Sequence, residues 1–137
     1  MRNDIKIALM IFVGGALGTL FRHGINLGTL WTPYPLGTLI ENLLGCLLLG
    51  LLAGWISSRE LTSRWVNFGV GVGFCGGFTT MSTFAADSFF LHAAYSEVQA
   101  LIYIGLSLFG GLALVTLGHD IGRRVAHRAT SGEGDAS

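Results

Sequence analysis

The polar side chains best suited to chemistry in this sequence lie inside long apolar stretches. Asn42 follows Thr38 by four residues and precedes Gly45 by three, so the three share one face of a predicted helix. The Asn42 amide can donate two hydrogen bonds to an anion, or it can join two membrane helices, which is the commoner use of such a group. Glu41 points about 100° away from Asn42. A carboxyl there could carry protons, or it could lie at a subunit interface near the lipid head groups.

Aromatic and hydroxyl side chains form a second set at helical spacing. Thr80 and Met81 lie four and three residues before Phe84, so all three share a face. The edge of a phenylalanine ring carries partial positive charge and can meet a small anion without trapping it, although ordinary packing is the commoner role. Tyr103 and Ser107 lie four residues apart and line one face of a later helix.

Other reactive residue types are sparse. Arg22 closes the first apolar stretch, where it can extend to the lipid head groups or attract anions to a vestibule. Cys46 and Cys75 lie in apolar segments outside any CxxC motif and are expected to be inert thiols. The sequence contains no Ser/His/Asp arrangement, no paired carboxylates and no phosphate-binding glycine loop, so we expect no enzyme activity.

The composition indicates an integral membrane protein. Of its 137 residues, 51% are hydrophobic and only 12% are charged, whereas a soluble domain carries roughly 25% charged residues. The formal net charge is zero, which argues against a nucleic-acid partner. A membrane-spanning helix needs about 20 residues, so four helices would use nearly the whole chain. The predicted fold is an all-α membrane protein with transmembrane spans at about residues 5–22, 36–56, 65–91 and 99–121, followed by a disordered polar tail at 122–137.

The third span holds the motif on which the functional prediction depends, from Gly76 through Gly77 and Phe78 to Thr79 and Thr80. Paired glycines and paired threonines form helix poorly, so the helix is predicted to break there and then resume. Transport proteins use such breaks to direct backbone carbonyls and half-helix ends at ions. The alternative is a helix-packing seam of glycines spaced four apart, with no ion.

Four helices enclose little cavity, so a transport site is expected to need a second subunit. Faces of small residues, such as Gly14-xxx-Gly18 and Gly50-xxx-Gly54, are expected to pack within the chain and across a dimer.

Several stretches together resemble the CrcB/Fluc family of fluoride channels. The similarity covers all four spans in order. It rests on Gly14-Gly15-Ala16-Leu17-Gly18 with Phe21-Arg22, on Gly37-Thr38-Leu39 with Asn42 and Gly45, and on Gly73-Phe74-Cys75-Gly76-Gly77-Phe78-Thr79-Thr80 with Ser82-Thr83-Phe84.

The resemblance implies passive, selective export of cytoplasmic fluoride through the plasma (inner) membrane of a prokaryote. It implies an antiparallel dual-topology dimer with two fluoride routes, and a structural sodium ion at the dimer centre held by the backbone carbonyls of Gly76 and Thr79. Residues expected along the fluoride route are Arg22, Asn42, Met81, Ser82, Thr83, Phe84, Tyr103 and Ser107.

Some positions depart from the family pattern. Met81 stands where the family has the first of two phenylalanines, so one edge-on ring is missing. Val115 replaces a threonine, Asp87 replaces a glutamate, and Glu41 is an unusual acid beside Asn42.

The charges at the predicted span ends are also unevenly placed. If both termini face one side of the membrane, seven of the basic residues lie on that side: Arg2, Lys6, Arg59, Arg64, Arg123, Arg124 and Arg128. Arg22 is then the only Lys or Arg on the opposite side. This asymmetry favours termini in the cytoplasm. A homodimer is expected, and a heterodimer with an oppositely inserted paralogue is the alternative.

Two other functions compete with the fluoride channel. One is a small four-helix, proton-coupled cation exporter that uses Glu41, and the other is an accessory membrane protein that transports nothing.

Overall fold

The computed structural model describes residues 2–58 and 66–134, and this part of the chain is helical, without strands. The predicted all-α architecture is confirmed for these residues. In chain order the helices are α1 (Arg2–Gly28), α2 (Leu36–Ser57), α3 (Asn67–Cys75), α4 (Gly76–Phe78), α5 (Met81–Ala94) and α6 (Glu97–Gly134).

Three of these helices are long and apolar enough to cross a membrane. They cover Asn3–Gly28, Leu36–Ser57 and Glu97–Ala129, which correspond to the first, second and fourth predicted spans. Their outer faces carry large apolar side chains, including Phe12, which is 73% exposed, and Phe109, which is 76% exposed. Such surfaces are costly in water and suited to lipid.

α1 packs closely against α3 and α4 through glycine. A Cβ at Gly18 would overlap the Phe74 carbonyl oxygen and lie 2.8 Å from the Phe78 backbone nitrogen. A Cβ at Gly77 would lie 2.9 Å from the Cα atom of Gly15. Residues later in α1 contact residues later in the α3–α4 segment, so the two run in the same direction. The glycines at spacing four therefore do form a packing seam, and its partner is α1 of the same chain.

α2 and α6 form the second closely packed pair and also run in the same direction. A Cβ at Gly50 would overlap the Val115 carbonyl oxygen, and one at Gly122 would overlap the Leu51 carbonyl oxygen. Small residues allow this approach of two backbones, which maximises van der Waals contact where lipid provides no hydrophobic drive.

The backbone is interrupted between α4 and α5. α4 ends at Phe78, and Thr79 and Thr80 are extended, with φ of −84° and −147°. α5 then begins at Met81, and its first turn is capped by the Thr80 hydroxyl, which accepts a hydrogen bond from the Thr83 backbone N–H. The preceding α3 has the wide winding of a π-helix over nine residues, a rare form that is frequently found at functional sites.

α6 runs back along α5, and the two helices pack together through a small apolar core. Leu91, Ala100 and Tyr103 are buried there. Tyr34, Leu39 and Phe84 pack around them. This core fixes the position of α5 relative to α6 just beyond the interruption.

Two helices extend past the predicted span ends. α1 continues from Arg22 to Gly28, where the Thr29 hydroxyl donates to the Ile25 and Asn26 carbonyl oxygens near the end of the helix. α6 continues from Ile121 to Gly134, through residues assigned to the polar tail by sequence. Gly122 and the fully buried Ala126 keep the first part of this extension packed. The predicted start of the third span at Trp65, the charges at Arg59 and Arg64, and tail residues 135–137 lie outside the described residues.

Candidate ion pathway

The Asn42 amide holds the interrupted backbone by two hydrogen bonds. Its Nδ2 donates to the Thr80 carbonyl oxygen at 3.1 Å, and its Oδ1 accepts from the Thr80 backbone N–H at 2.8 Å. An extended residue in a membrane helix needs partners for both backbone groups, because lipid supplies none. Asn42 is thus a structural clamp on Thr80, and one of its two N–H donors remains outside these two bonds.

At the interruption, hydrogen-bond donors are diverted from two backbone carbonyls. In a continuous helix the Thr80 N–H would bond to the Gly76 carbonyl, and the Thr83 N–H would bond to the Thr79 carbonyl. Here the first donates to Asn42 and the second to the Thr80 hydroxyl. The carbonyls of Gly76 and Thr79 therefore lack their usual helical donors, which is the condition in which a carbonyl can coordinate a cation.

Thr79 is also held by the preceding turn. Its backbone N–H and its hydroxyl both donate to the Cys75 carbonyl oxygen, at 3.0 and 2.9 Å. On the other side, Gly45 of α2 lets the Thr79 methyl group approach, since a Cβ at Gly45 would overlap it. The glycine three positions after Asn42 brings α2 close enough for the amide to reach Thr80.

An open groove of about 420 Å³ runs along this interruption. Its lining includes Asn42, Met81, Phe84 and Ser107 from the predicted fluoride route, together with Gly76 and Thr79. The structure thus brings six of the ten predicted site residues to one surface of the chain. The lining is mainly apolar, with amide and hydroxyl groups at intervals.

A second cavity, of about 260 Å³, lies beside the α1–α2 loop and is more polar. Thr83 and Asp87 line it from α5, and Thr38 lines it from α2. Two of the predicted fluoride-route residues, Phe84 and Thr83, are sequence neighbours that line different cavities.

Aromatic side chains occupy the position between the two cavities. The ring of Phe84 stacks on that of Tyr103, with centroids 5.6 Å apart and an angle of 28°. The Tyr103 hydroxyl donates to the Asp87 carboxylate at 3.3 Å. Tyr103 is fully buried, so it links the groove to the second cavity through its ring and its hydroxyl without lining either one.

The remaining predicted residues have different surroundings. Ser82 is exposed, and its hydroxyl lies 3.3 Å from that of Thr80. Met81 is 74% exposed on the groove surface. Arg22 is half-buried near the end of α1 and lines neither cavity.

Two buried polar side chains have no hydrogen-bond partner among the described residues. They are Glu41, through both carboxyl oxygens, and Ser107, through its hydroxyl. Glu41 is fully buried. Ser107 contributes to the groove lining, and its hydroxyl oxygen is buried beneath that surface.

Comparison with known proteins bears directly on this arrangement. A sequence model of the CrcB-like protein family, described as Camphor Resistance (CrcB), matches residues 9–119. The chain belongs to the CrcB-like family. The match extends from α1 into the second half of α6, so it includes the interruption, the clamp and the groove.

Bacterial relatives of this CrcB-like protein match it over nearly their full length. A Halalkalibacterium halodurans protein named fluoride-specific ion channel FluC 2 is 47% identical over 128 residues, covering 93% of this chain and 94% of the relative. The Bacillus subtilis protein of the same name is 41% identical, covering 89% and 92%. A Chloroflexus aurantiacus fluoride-specific ion channel FluC is 43% identical, covering 90% and 97%. With three membrane-length helices, these relatives establish a multi-pass membrane protein of prokaryotic type.

The predicted site residues of this CrcB-like protein leave out Thr80, which the sequence places only on a helix face with Met81 and Phe84, and Asp87, which it marks only as a departure from the family pattern. Thr80 is the hub of the interruption, since its backbone bonds to Asn42 and its hydroxyl caps α5. A threonine directly before a resumed helix is a recognisable capping signal. Asp87 becomes significant only through its contact with Tyr103, 16 residues away on another helix, and a single sequence carries no local signal for that contact.

Proposed function

We propose that this protein is a fluoride-selective channel that lets cytoplasmic fluoride leave the cell passively and so reduces its toxicity. The observation that carries the proposal is the Asn42–Thr80 clamp, which builds an interrupted helix beside a groove lined by an amide, hydroxyls and a phenylalanine. Relatives that share 40–47% of their residues with the chain bear the name fluoride-specific ion channel.

The lining chemistry suits a small, strongly hydrated anion. To release its water, fluoride must meet hydrogen-bond donors and positively polarised ring edges in exchange. Three groups supply such donors and ring edges without a full positive charge. They are the second N–H of Asn42, the Ser107 hydroxyl and the Phe84 ring. A cationic side chain at the same place would bind fluoride too tightly for release.

The proposed route passes from the groove, along Phe84 and Tyr103, to the second cavity. Ser82 and Thr83 add hydroxyls at the start of α5, and Arg22 attracts anions at the vestibule. Met81 faces the same groove with a thioether where a ring is missing. Each of these roles is a prediction for mutagenesis.

We further infer that α3, α4 and α5 together form a fourth, interrupted span. α1 and α3–α4 run in one direction, α1 packs on Gly77 and Phe78 just before the interruption, and α2 contacts Thr79 and Thr80. Enclosure by protein is what irregular backbone requires at membrane depth. The four spans would then occupy the predicted residues 5–22, 36–56, 65–91 and 99–121, and residues 122–137 would lie outside the membrane.

The same backbone supports a sodium site. Gly76 and Thr79 provide two carbonyl oxygens whose helical donors are diverted, and hard carbonyl oxygens are suitable ligands for such an ion. Two carbonyls are too few for a stable alkali-metal site, so a second subunit would complete the set. The open groove and the exposed apolar side chains beside it, such as Met81 and Leu108, fit a dimer that covers this surface, with the subunits antiparallel.

Fluoride efflux from liposomes tests the proposal. Purified protein in vesicles loaded with potassium fluoride, in buffer that also contains sodium, with valinomycin to balance charge and no proton gradient, should release fluoride. Vesicles loaded with chloride should not release chloride. A proton-coupled exporter would need the gradient. Failure to release fluoride from vesicles that contain folded protein would reject the channel.

Insertion orientation decides between the two forms of dimer. Reporter fusions to the C-terminus of this chain expressed alone should give comparable signals from both sides of the membrane if it forms a dual-topology homodimer. A signal from the cytoplasmic side alone would favour pairing with an oppositely inserted paralogue, as the charge asymmetry allows.

A further inference from the structure

Glu41 is a fully buried carboxyl whose two oxygens have no hydrogen-bond partner among residues 2–58 and 66–134. A membrane interior rarely tolerates an ionisable side chain without a function. The proposed fluoride route uses Asn42, the next residue, and leaves Glu41 unexplained.

Its position on α2 places Glu41 between two other elements. Gly37 and Gly45 lie four residues before and after it on the same ridge of the helix. A Cβ at Gly37 would meet Asn26 and Thr29 at the end of α1, and a Cβ at Gly45 would meet Thr79 at the interruption. Glu41 therefore lies where α2 passes from α1 to the interrupted backbone.

Charged groups face Glu41 from two neighbouring helices. Arg22 on α1 and Asp87 on α5 are close enough to interact with it electrostatically, and their charges act on it in opposite senses. Tyr103 on α6 bonds to Asp87, and the Tyr34 ring from the α1–α2 loop lies 6.0 Å from Tyr103. Among the described residues, Arg22 makes no ion pair with Glu41 within 4.0 Å.

The neutral and ionised forms of this carboxyl would have different effects on an anion. An ionised carboxylate that accepts no hydrogen bonds is costly in the interior of a protein. The neutral acid costs less there, so it suits the Glu41 side chain, whose oxygens have no hydrogen-bond partner among the described residues. Loss of its proton would leave a negative charge one residue from Asn42, and at short range in a low-dielectric medium that charge strongly repels a second anion.

We propose that Glu41 is an internal proton-binding site that controls fluoride passage, which rests on the channel function proposed above. Binding transfers one proton from solvent to a carboxylate oxygen and forms a neutral acid. Release of the proton restores the carboxylate, which repels fluoride near Asn42 and attracts the Arg22 guanidinium away from the vestibule. Fluoride efflux is then fastest when Glu41 is neutral and falls as pH rises.

The test measures fluoride efflux from liposomes over roughly pH 6 to pH 9, a range that includes the values documented for buried carboxyls. Protein-free vesicles measured in parallel correct for passage of undissociated hydrofluoric acid. Wild-type efflux should fall on the order of tenfold across the range. Glu41→Gln, which keeps the shape and cannot ionise, should stay near the acid-side rate throughout.

A matched control uses a carboxyl outside this site. Glu97 is exposed at the start of α6, so Glu97→Gln should keep the wild-type pH profile. The proposal is overturned if wild-type efflux does not change with pH, or if Glu41→Gln retains the same fall.

Infrared difference spectroscopy provides a readout that does not depend on transport. A shift from the acid to the alkaline end of the range should remove the C=O band of a protonated carboxylic acid in wild-type protein, and Glu41→Gln should lack that change. If the band is found and no fluoride passes at any pH, the channel function fails and the proton site stands. If the band is missing from both proteins, the proton site fails.

Discussion

The Asn42 side chain bonds to both backbone groups of Thr80, a residue 38 positions later in the chain. This one contact ties α2 to the interruption between α4 and α5. It also occupies the Thr80 N–H, which in a continuous helix would donate to the Gly76 carbonyl oxygen. The geometry of the proposed site therefore depends on an amide at position 42.

Replacement of Asn42 by alanine should weaken both the fold and the transport. It leaves the Thr80 N–H and carbonyl unpaired in a part-buried site, at about 1–3 kcal/mol for each group. We expect a lower unfolding temperature and fluoride efflux slowed by at least roughly tenfold, while the elution volume on size-exclusion chromatography stays that of the wild type.

Asn67→Ala is a suitable control because Asn67 is exposed at the start of α3. It should leave both measurements near the wild-type values. Wild-type efflux in Asn42→Ala would show that the anion route lies elsewhere.

The aromatic groups at the groove predict a pair of opposite effects. Phe84→Leu removes the ring that stacks on Tyr103 and the edge offered to the anion. The loss of one ring interaction of about 1 kcal/mol corresponds to a rate roughly fivefold lower. Met81→Phe adds a ring on the groove, so it should raise the rate of fluoride efflux.

Both variants can be measured in one liposome series, with unfolding temperatures to exclude a loss of fold. Equal efflux from Phe84→Leu and the wild type would remove the ring from the mechanism. A slower Met81→Phe would show that the missing ring is not what limits the rate.

Close contact between α1 and the α3–α4 segment predicts a steric penalty at Gly18. A methyl group there would overlap the Phe74 carbonyl oxygen, and backbone atoms cannot move aside cheaply. Gly18→Ala should destabilise the protein by about 1–3 kcal/mol and lower its yield of monodisperse protein. Gly24→Ala on the same helix has nothing within 4 Å of the new methyl group, so it should be tolerated, and equal stability of the two variants would refute the close packing.

Much of this architecture could be predicted from sequence because membrane helices give strong one-dimensional signals. Apolar runs of about 20 residues locate three spans that the structure also has. The paired glycines and threonines predict an interruption because their helix propensities are poor. Thr79 and Thr80 are extended, and a single broken third span stays a prediction.

The three-dimensional partners could not be predicted, because they join residues far apart in the chain. The sequence leaves open whether Asn42 donates to an anion or joins two helices, and its hydrogen bonds go to the Thr80 backbone. Tyr103 is predicted to line the fluoride route on one helix face with Ser107, and it is buried against Phe84 and Asp87. The continuation of α6 beyond Ile121 was missed because arginines suggest a membrane edge, yet arginine is also a good helix former.

Sodium removal gives the sharpest test of the interrupted backbone. If the Gly76 and Thr79 carbonyls hold the ion, replacing sodium with a large organic cation should abolish fluoride efflux and lower the unfolding temperature, since a ligand at 100 times its Kd stabilises by about 2.7 kcal/mol. Asn42→Ala, which releases Thr80, should need more sodium for the same unfolding temperature. Thr79→Ser keeps both the carbonyl and the hydroxyl bond to Cys75, so its sodium requirement should match the wild type. Efflux and stability that do not depend on sodium in any of the three proteins would exclude a cation at this position.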